Sequence, residues 1–351
     1  MNVDRRYAAV AAIVGIFVLV QVGALALVEP FNTAGFQDVE DPSDPTNSLL
    51  YVGAILVATV AMLGAFRYGG DRVIRAVLVG SSGYLSFYVF AVLVPTLPAA
   101  GVAAFAPALA LAALVTVALW VHPEWYVIDA AGVVMGAGAA GLFGVNFGVL
   151  PALVLLVVLA VYDAISVYGT EHMLTLAEGV MDLKVPVVLV VPLSLSYSFL
   201  DAAPAAGGSD ADPDVAESDD IEADADEALT DGSGDSDADG SEGADGDDGT
   251  RDAFFIGLGD AVMPAVLVAS AGFFAPVGVS SLVPGLALTL PALTAMLGTN
   301  LGLLVLMYFV MQGRAHAGLP LLNGGAIGGY LVGALAAGVP LVRALGLAPY
   351  L

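Results

Sequence analysis

Nine stretches of this chain are apolar for about 20 residues each, the length a helix needs to cross the hydrocarbon core of a bilayer. They lie near Tyr7–Val28, Leu49–Phe66, Arg72–Val94, Gly101–Val121, Tyr126–Phe143, Gly148–Gly169, Ala253–Phe274, Pro284–Met311 and Leu319–Val342. Backbone N–H and C=O groups in lipid must be satisfied within the segment itself, so such stretches are read as helices. The expected fold is an all-α membrane protein with nine transmembrane helices. The first stretch is too long for a removed signal peptide and lacks a small-residue cleavage site, so it is expected as a retained span. Pro186–Leu200 (PVVLVVPLSLSYSFL) is apolar for only about 15 residues. Runs of that length are more often interfacial than spanning, Pro192 would remove a helical hydrogen bond from its middle, and its valine run favours a short extended segment.

The charges separate the chain into two materials. Of its 34 acidic residues, 19 fall in 201–250 with no Lys or Arg, and the other 15 face 9 basic residues in the remaining chain. Residues 201–250, rich in Asp, Gly, Ser and Ala, cannot offset the entropy of ordering and are expected as a disordered acidic loop. Heavy use of Asp would also suit a salty, halophilic cytoplasm. With the N-terminus inside, Arg5, Arg6, Arg67, Arg72, Arg75, Lys184, Arg251 and Arg314 fall on the cytoplasmic side and only Arg343 outside, as the positive-inside rule requires. The C-terminus is then extracytoplasmic. The expected organisation is spans one to six over 1–169, an interfacial helix and extended segment over 170–200, the cytoplasmic acidic loop over 201–250, and spans seven to nine over 251–351. Such a chain is a multi-pass protein of the cell membrane whose surroundings are the lipid bilayer.

Several chemistries drop out. The absence of Cys removes disulfides, Cys-ligated clusters and thiol catalysis, and an acidic chain without clustered Lys and Arg offers nothing to nucleic acid. No HExxH motif is present, and His122-Pro123-Glu124 lacks a third metal ligand,. No metal, cofactor or obligate partner subunit is indicated; an oligomer remains open. Gly80-Ser81-Ser82-Gly83 has the spelling of the rhomboid serine motif. Its serine would need a histidine base at its own depth, and His122, His172 and His316 all fall at cytoplasmic span ends. Helix packing by small residues explains that motif better.

Ionisable residues inside a membrane are costly and mark function by default. Asp163 precedes the cytoplasmic end of span six by about six residues and Asp260 follows the start of span seven by about eight. At 1.5 Å per helical residue these are similar depths, roughly 9 and 12 Å, so the two carboxylates can face each other. Paired carboxyls share a proton, leaving one as general acid and the other as general base on a water, which is hydrolysis without metal, thiol or serine. An intramembrane Asp can equally bond a neighbouring helix or serve a proton or cation path. The alternative is therefore a carboxylate-pair transporter or channel. Gly257 and Asp260, three apart, would share one helical face, and Gly257 and Gly259 would bare the backbone to a bound peptide.

Tyr162-Asp163 on one span and Gly257-Leu258-Gly259-Asp260 on the next resemble the YD and GxGD motifs of presenilin-type intramembrane aspartyl proteases, the superfamily that includes the signal peptide peptidases and archaeal presenilin homologues. The resemblance implies a two-aspartate endopeptidase that cleaves transmembrane segments of membrane proteins, with Asp163 and Asp260 catalytic. The family's third motif, PAL, opens the ninth span and helps to shape the active site and substrate groove. Pro291-Ala292-Leu293 and Pro151-Ala152-Leu153 match its letters but lie in spans eight and six. Ala317-Gly318-Leu319-Pro320 fits its position, with the first Pro replaced and Gly for Ala. Tyr162, Gly257, Leu258, Gly259, Gly318, Leu319 and Pro320 thus become candidate substrate-binding residues. The deduced orientation matches presenilin and implies substrates whose N-terminus is outside.

The valine-rich segment Val185–Val191 would then suit strand pairing with an unwound substrate. Glu124, Asp129, Glu171 and Glu178 sit near cytoplasmic span ends and read as solvated or helix-terminal charges. Thr170 to Glu178 reads as an interfacial helix, and the glycines at 132, 136, 324, 325, 328 and 329 as close-packing positions, the last four also as a thinned wall of a substrate groove.

Overall fold

The computed structural model describes residues 3–68, 70–169, 188–194, 197–198, 253–312 and 317–350. The expected interfacial helix and the acidic loop lie outside the described residues, as do Glu171, His172, Glu178, Lys184, Arg251, Arg314 and His316.

Apolar helices dominate: α1 Val3–Thr33, α2 Thr46–Arg67, α3 Asp71–Leu93, α4 Ala106–Val121, α5 Trp125–Asn146 and α6 Val149–Gly169, then α7 Leu258–Phe273, α8 Leu290–Met311, α9 Gly318–Ala336 and a final turn, α10, Leu341–Ala344. Among the described residues, seven helices are long and apolar enough to span a membrane: α1, α3, α4 with the 3-10 turn before it, α5, α6, α8 and α9. Two further apolar helices are shorter, Thr46–Met62 of α2 and all of α7.

The structure is mostly helical as expected, and the start of span seven needs correction. Ala253–Gly257, expected as the first turns of span seven, forms strand β2 and pairs antiparallel with strand β1, Val188–Pro192, in the register Val188↔Gly257 to Pro192↔Ala253. Both segments are rich in β-branched and aromatic residues (Val188, Val190, Val191; Phe254, Phe255, Ile256), which suit a pleated surface. The extended reading of the valine run holds over 188–192, and its partner is this chain's own β2. Span eight is also shorter than expected. Its helix starts at Leu290, where the Thr289 hydroxyl accepts the Ala292 N–H at 3.3 Å and Pro291 sits in the first turn, the usual grammar of a helix start.

Small residues set the packing. α7 is buried nearly all round, with Val266, Leu267, Val268 and Ala269 wholly enclosed, and it packs against α1, α5, α6, α8 and α9. Gly144 of α5 lies against Ala269. The most extensive helix–helix contact is the α8–α9 hairpin, where Gly298 and Gly302 face Gly325 and Leu321 backbone to backbone, and Gly329 faces Thr294. Without a hydrophobic driving force between helices in lipid, such close approach is what holds them together. Large apolar side chains outside this core, among them Leu50, Val57, Val60, Val77 and Leu114, are exposed, as a lipid-facing surface requires.

Candidate active site

Asp163, in the last third of α6, is 7% exposed, and one of its carboxylate oxygens, Oδ2, accepts the Leu319 N–H at 3.0 Å. The Gly318 N–H reaches the same carboxylate. Both donors belong to the first turn of α9, whose opening N–H groups have no partner within the helix, so an aspartate there takes a vacant role. Asp260 lies in the first turn of α7, half-buried. A Cβ placed on Gly318 would stand 3.5 Å from Asp260 Oδ2. Gly318 therefore faces one aspartate on the side where a Cβ would stand, while its own turn binds the other through N–H groups. The two carboxylates, 97 positions apart in sequence, converge on Gly318–Leu319.

The convergence expected from depth is present, though by a different geometry. Gly257 is the end of β2 and the N-cap of α7, with φ −59° and ψ 132°, so it does not share a helical face with Asp260. It still faces that carboxylate: a Cβ on Gly257 would stand 3.4 Å from Asp260 Oδ2. Gly259 is exposed with open space beside it. Leu258 points the other way, buried over Gly136 of α5. Leu319 packs with Phe147, Leu155 and Leu159, while Tyr162 and Pro320 are half-buried. Pro291-Ala292-Leu293 caps the start of α8 and Pro151-Ala152-Leu153 lies in the first turn of α6; neither is at the aspartates.

Of the carboxylates expected as solvated or helix-terminal charges, Glu124 is helix-terminal, and both it and Asp129 accept a hydrogen bond from the protein. Asp129 of α5 is half-buried and its Oδ1 accepts the Val190 N–H of β1 at 2.8 Å. Glu124, at the N-cap of α5, is 7% exposed and accepts the Ser198 hydroxyl at 2.6 Å. The one signal for Asp129 in sequence was the strand itself, whose outer edge needed an acceptor. The serine of the rhomboid-like motif, Ser82, is buried and donates to the Leu78 carbonyl in its own helix, and Gly83 lies against Thr116 of α4. Among the described residues no group of three or more His, Cys, Asp or Glu could hold a metal. A cavity of about 550 Å3, lined by Tyr51, Tyr84, Tyr88, Phe143 and Asn146, sits by the far end of α5 and touches neither aspartate.

Residues 14–339 match the family model described as signal-peptide peptidase, presenilin aspartyl protease. The chain belongs to this family. Two solved structures of a presenilin family intramembrane aspartate protease are similar to it. One, in space group C222, is 33% identical with a TM-score of 0.60, over 93% of this chain and 99% of that one. The other, in space group P2, is 34% identical with a TM-score of 0.58, over 93% of this chain and 97% of that one. No protein with a curated functional description matches the chain. As a presenilin-family member it is an intramembrane aspartate protease and a multi-pass membrane protein, and its family acts on transmembrane substrates within the bilayer.

Proposed function

We propose that this protein hydrolyses peptide bonds within transmembrane segments using Asp163 and Asp260 and one water. The observation that carries the reading is the convergence of both carboxylates on the first turn of α9, Asp163 through the Leu319 N–H and Asp260 beside Gly318. One carboxyl, protonated, donates to the scissile carbonyl oxygen while the other, ionised, takes a proton from the attacking water. The tetrahedral intermediate then collapses: the second carboxyl passes the proton it took from water to the leaving nitrogen, the C–N bond breaks, and the first carboxylate regains its proton from a hydroxyl of the intermediate. The Leu319 N–H holds the Asp163 carboxylate in one orientation throughout. Gly257, Gly259 and Gly318 leave backbone room for an extended peptide beside the pair, with Tyr162, Leu319 and Pro320 shaping the walls around it, while Leu258 anchors the start of α7 against α5.

The proposed topology is nine spans, the seven long helices with α2 and α7, N-terminus cytoplasmic and C-terminus outside, with the acidic loop as a cytoplasmic tether. Substrates are single-span proteins with their N-terminus outside. Reconstitution into vesicles with such a substrate tests this: Asp163→Ala and Asp260→Ala each abolish cleavage. Cleavage that survives either change refutes the mechanism, and a proton-coupled flux without cleavage, lost in the same variants, would replace it with transport.

A further inference from the structure

We propose that Asp129 is a positioning residue for the aspartate pair: its carboxylate fixes strand β1 against α5, and the β1–β2 ladder carries that placement to Gly257 and the turn that bears Asp260. The proposal rests on the protease reading above and adds a residue that lies outside the GxGD, YD and PAL-like motifs.

The argument begins on α5. Asp129, Gly132 and Gly136 are spaced i, i+3, i+7 and so line one face of the helix. That face meets the strand pair and the start of α7 at three successive levels. Asp129 Oδ1 accepts the Val190 N–H at 2.8 Å. At Gly132 a Cβ would stand 2.9 Å from Leu189 Cδ2, and at Gly136 3.3 Å from both Leu258 Cδ1 and Val262 Cγ2. The two glycines admit the side chains of β1 and α7 by sterics alone. Among the described residues Asp129 supplies the directional bond of the face, and so sets the height of β1 along α5.

The ladder transmits that height. In an antiparallel strand the N–H and C=O of one residue point to the same side. The Val190 N–H points to Asp129, so the pair Val190↔Phe255 is a non-hydrogen-bonded one, and Leu189↔Ile256 and Val191↔Phe254 carry the ladder. β1 is thus held on one edge by β2 and on the other by Asp129, while Pro192, on the same edge as Val190, has no N–H to present. β2 ends at Gly257, α7 begins at Leu258, and Asp260 is in its first turn. No flexible linker stands between the ladder and that carboxylate. With Asp129 truncated, the Val190 N–H loses its acceptor in a buried setting and β1 must shift or rotate to find another, taking Gly257 and Asp260 with it.

The test uses the reconstituted full chain with a single-span substrate and four variants. Asp129→Ala removes the acceptor. Val190→Pro removes the donor without taking a bond from the ladder, since position 190 gives none and an edge position tolerates proline, and Val190→Ala, which keeps the N–H, controls for the buried side chain lost with it. Asp129→Asn keeps an oxygen that accepts the same bond. A hydrogen bond to a charged acceptor, lost with its buried donor left unpaired, corresponds to about one to two orders of magnitude in an equilibrium. Asp129→Ala and Val190→Pro are therefore each expected to lower kcat about ten- to a hundredfold at unchanged KM, the double variant to be no worse than the worse single, and Asp129→Asn to stay within about threefold of the parent.

A second measurement reads the strand directly. The chain has no Cys, and a non-hydrogen-bonded antiparallel pair brings side chains close enough for a disulfide. Val190→Cys with Phe255→Cys is expected to crosslink readily, about tenfold more slowly when Asp129→Ala is added, and unchanged with Asp129→Asn. Additive losses in the double variant, an Asn variant as impaired as Ala, an effect confined to KM, or crosslinking indifferent to Asp129 each overturn the proposal. A parent that does not cleave, or that cleaves without Asp163, overturns the protease reading instead, and the crosslink then still decides whether Asp129 holds the strand.

Discussion

Gly325→Ala should be among the most destabilising single methyl additions in this protein, and the reason lies in how closely α8 and α9 approach. The new Cβ would stand 2.9 Å from the carbonyl carbon of Gly298 and closer still to its oxygen. Non-bonded heavy atoms prefer about 3.5–4.0 Å, and a gap of about 0.5–1 Å already forfeits a quarter to a half of each contact. To admit the methyl the two helices must part by about that much. The obstacle is backbone on a helix and cannot swing aside as a side chain would. Overpacking of this kind costs about 1–3 kcal/mol, and the upper half of that range is expected where the most extensive helix pair in the molecule is prised open. Gly324→Ala is the internal control: one position earlier in α9, exposed, with nothing within 4 Å of the added carbon, it is expected to be neutral or slightly stabilising. Reversible unfolding in detergent micelles measures both. Gly298→Ala meets the Gly325 oxygen from the other side, so one separation of the helices serves both methyls, and the double variant should fall short of the sum of the singles by about 1 kcal/mol. Equal stability of Gly325→Ala and Gly324→Ala, or strict additivity of Gly298→Ala with Gly325→Ala, would refute the reasoning.

Two smaller outcomes follow from the same coordinates. Gly318→Ala should retain cleavage, because its Cβ would make ordinary contacts with Leu306 Cδ2 at 3.4 Å and Asp260 Oδ2 at 3.5 Å, whereas Gly318→Val should abolish it by driving a branched carbon into that carboxylate; vesicle cleavage assays separate the two. The Thr46 hydroxyl, and after it the Thr46 N–H that Asp44 accepts at 2.8 Å ahead of α2, hold the Asp44 carboxyl below the ordinary value of 3.8. A group whose pKa is lowered by folding stabilises at pH above its unfolded value and loses that contribution as pH falls through the folded one. Acid titration below about pH 4 should therefore loosen the start of α2, read as faster hydrogen exchange there, and Asp44→Ala should remove the pH dependence.

The parts of this structure that were legible from residue order are those that depend on lipid. Long apolar runs became helices because the backbone has no other solution in hydrocarbon, and Asp163 and Asp260 stood out because carboxylates are rare inside such runs. Ala253–Ile256 defeated that logic. An apolar run of four or five residues reads alike as helix or strand, and what decides it is a partner, Val188–Pro192, about 65 positions earlier in the chain. The bond that Asp129 makes is hidden from the sequence for the same reason. The residue's proximity to a span end suggested water, but its partner is the backbone N–H of Val190, which no side-chain pattern reports. The glycines divide similarly. Gly325 and Gly329 lie against the backbone of α8 while Gly324 and Gly328 have open space beside them, a distinction that depends on the rotation of α9 and not on its composition.

The first turn of α9 shows why position outweighed spelling. Its proposed work beside Asp163 and Asp260 needs a residue small enough to clear Asp260 Oδ2 and, next to it, a backbone N–H free to donate. Gly318 supplies the clearance and Leu319 the donor at 3.0 Å. A proline at 319 would fail, because it removes that N–H. At 320 proline is harmless, since N–H groups in a first helical turn have no intrahelical acceptor and its fixed φ suits the turn. At 317, the N-cap, the residue lies before the helix with φ −64° and ψ 123°, a conformation that proline and alanine both adopt. The substitution of Ala317 for proline and of Gly318 for alanine therefore leaves both requirements intact. Pro291-Ala292-Leu293 has the letters, but its turn is directed at the Thr289 hydroxyl and the start of α8, where there is no aspartate to bind.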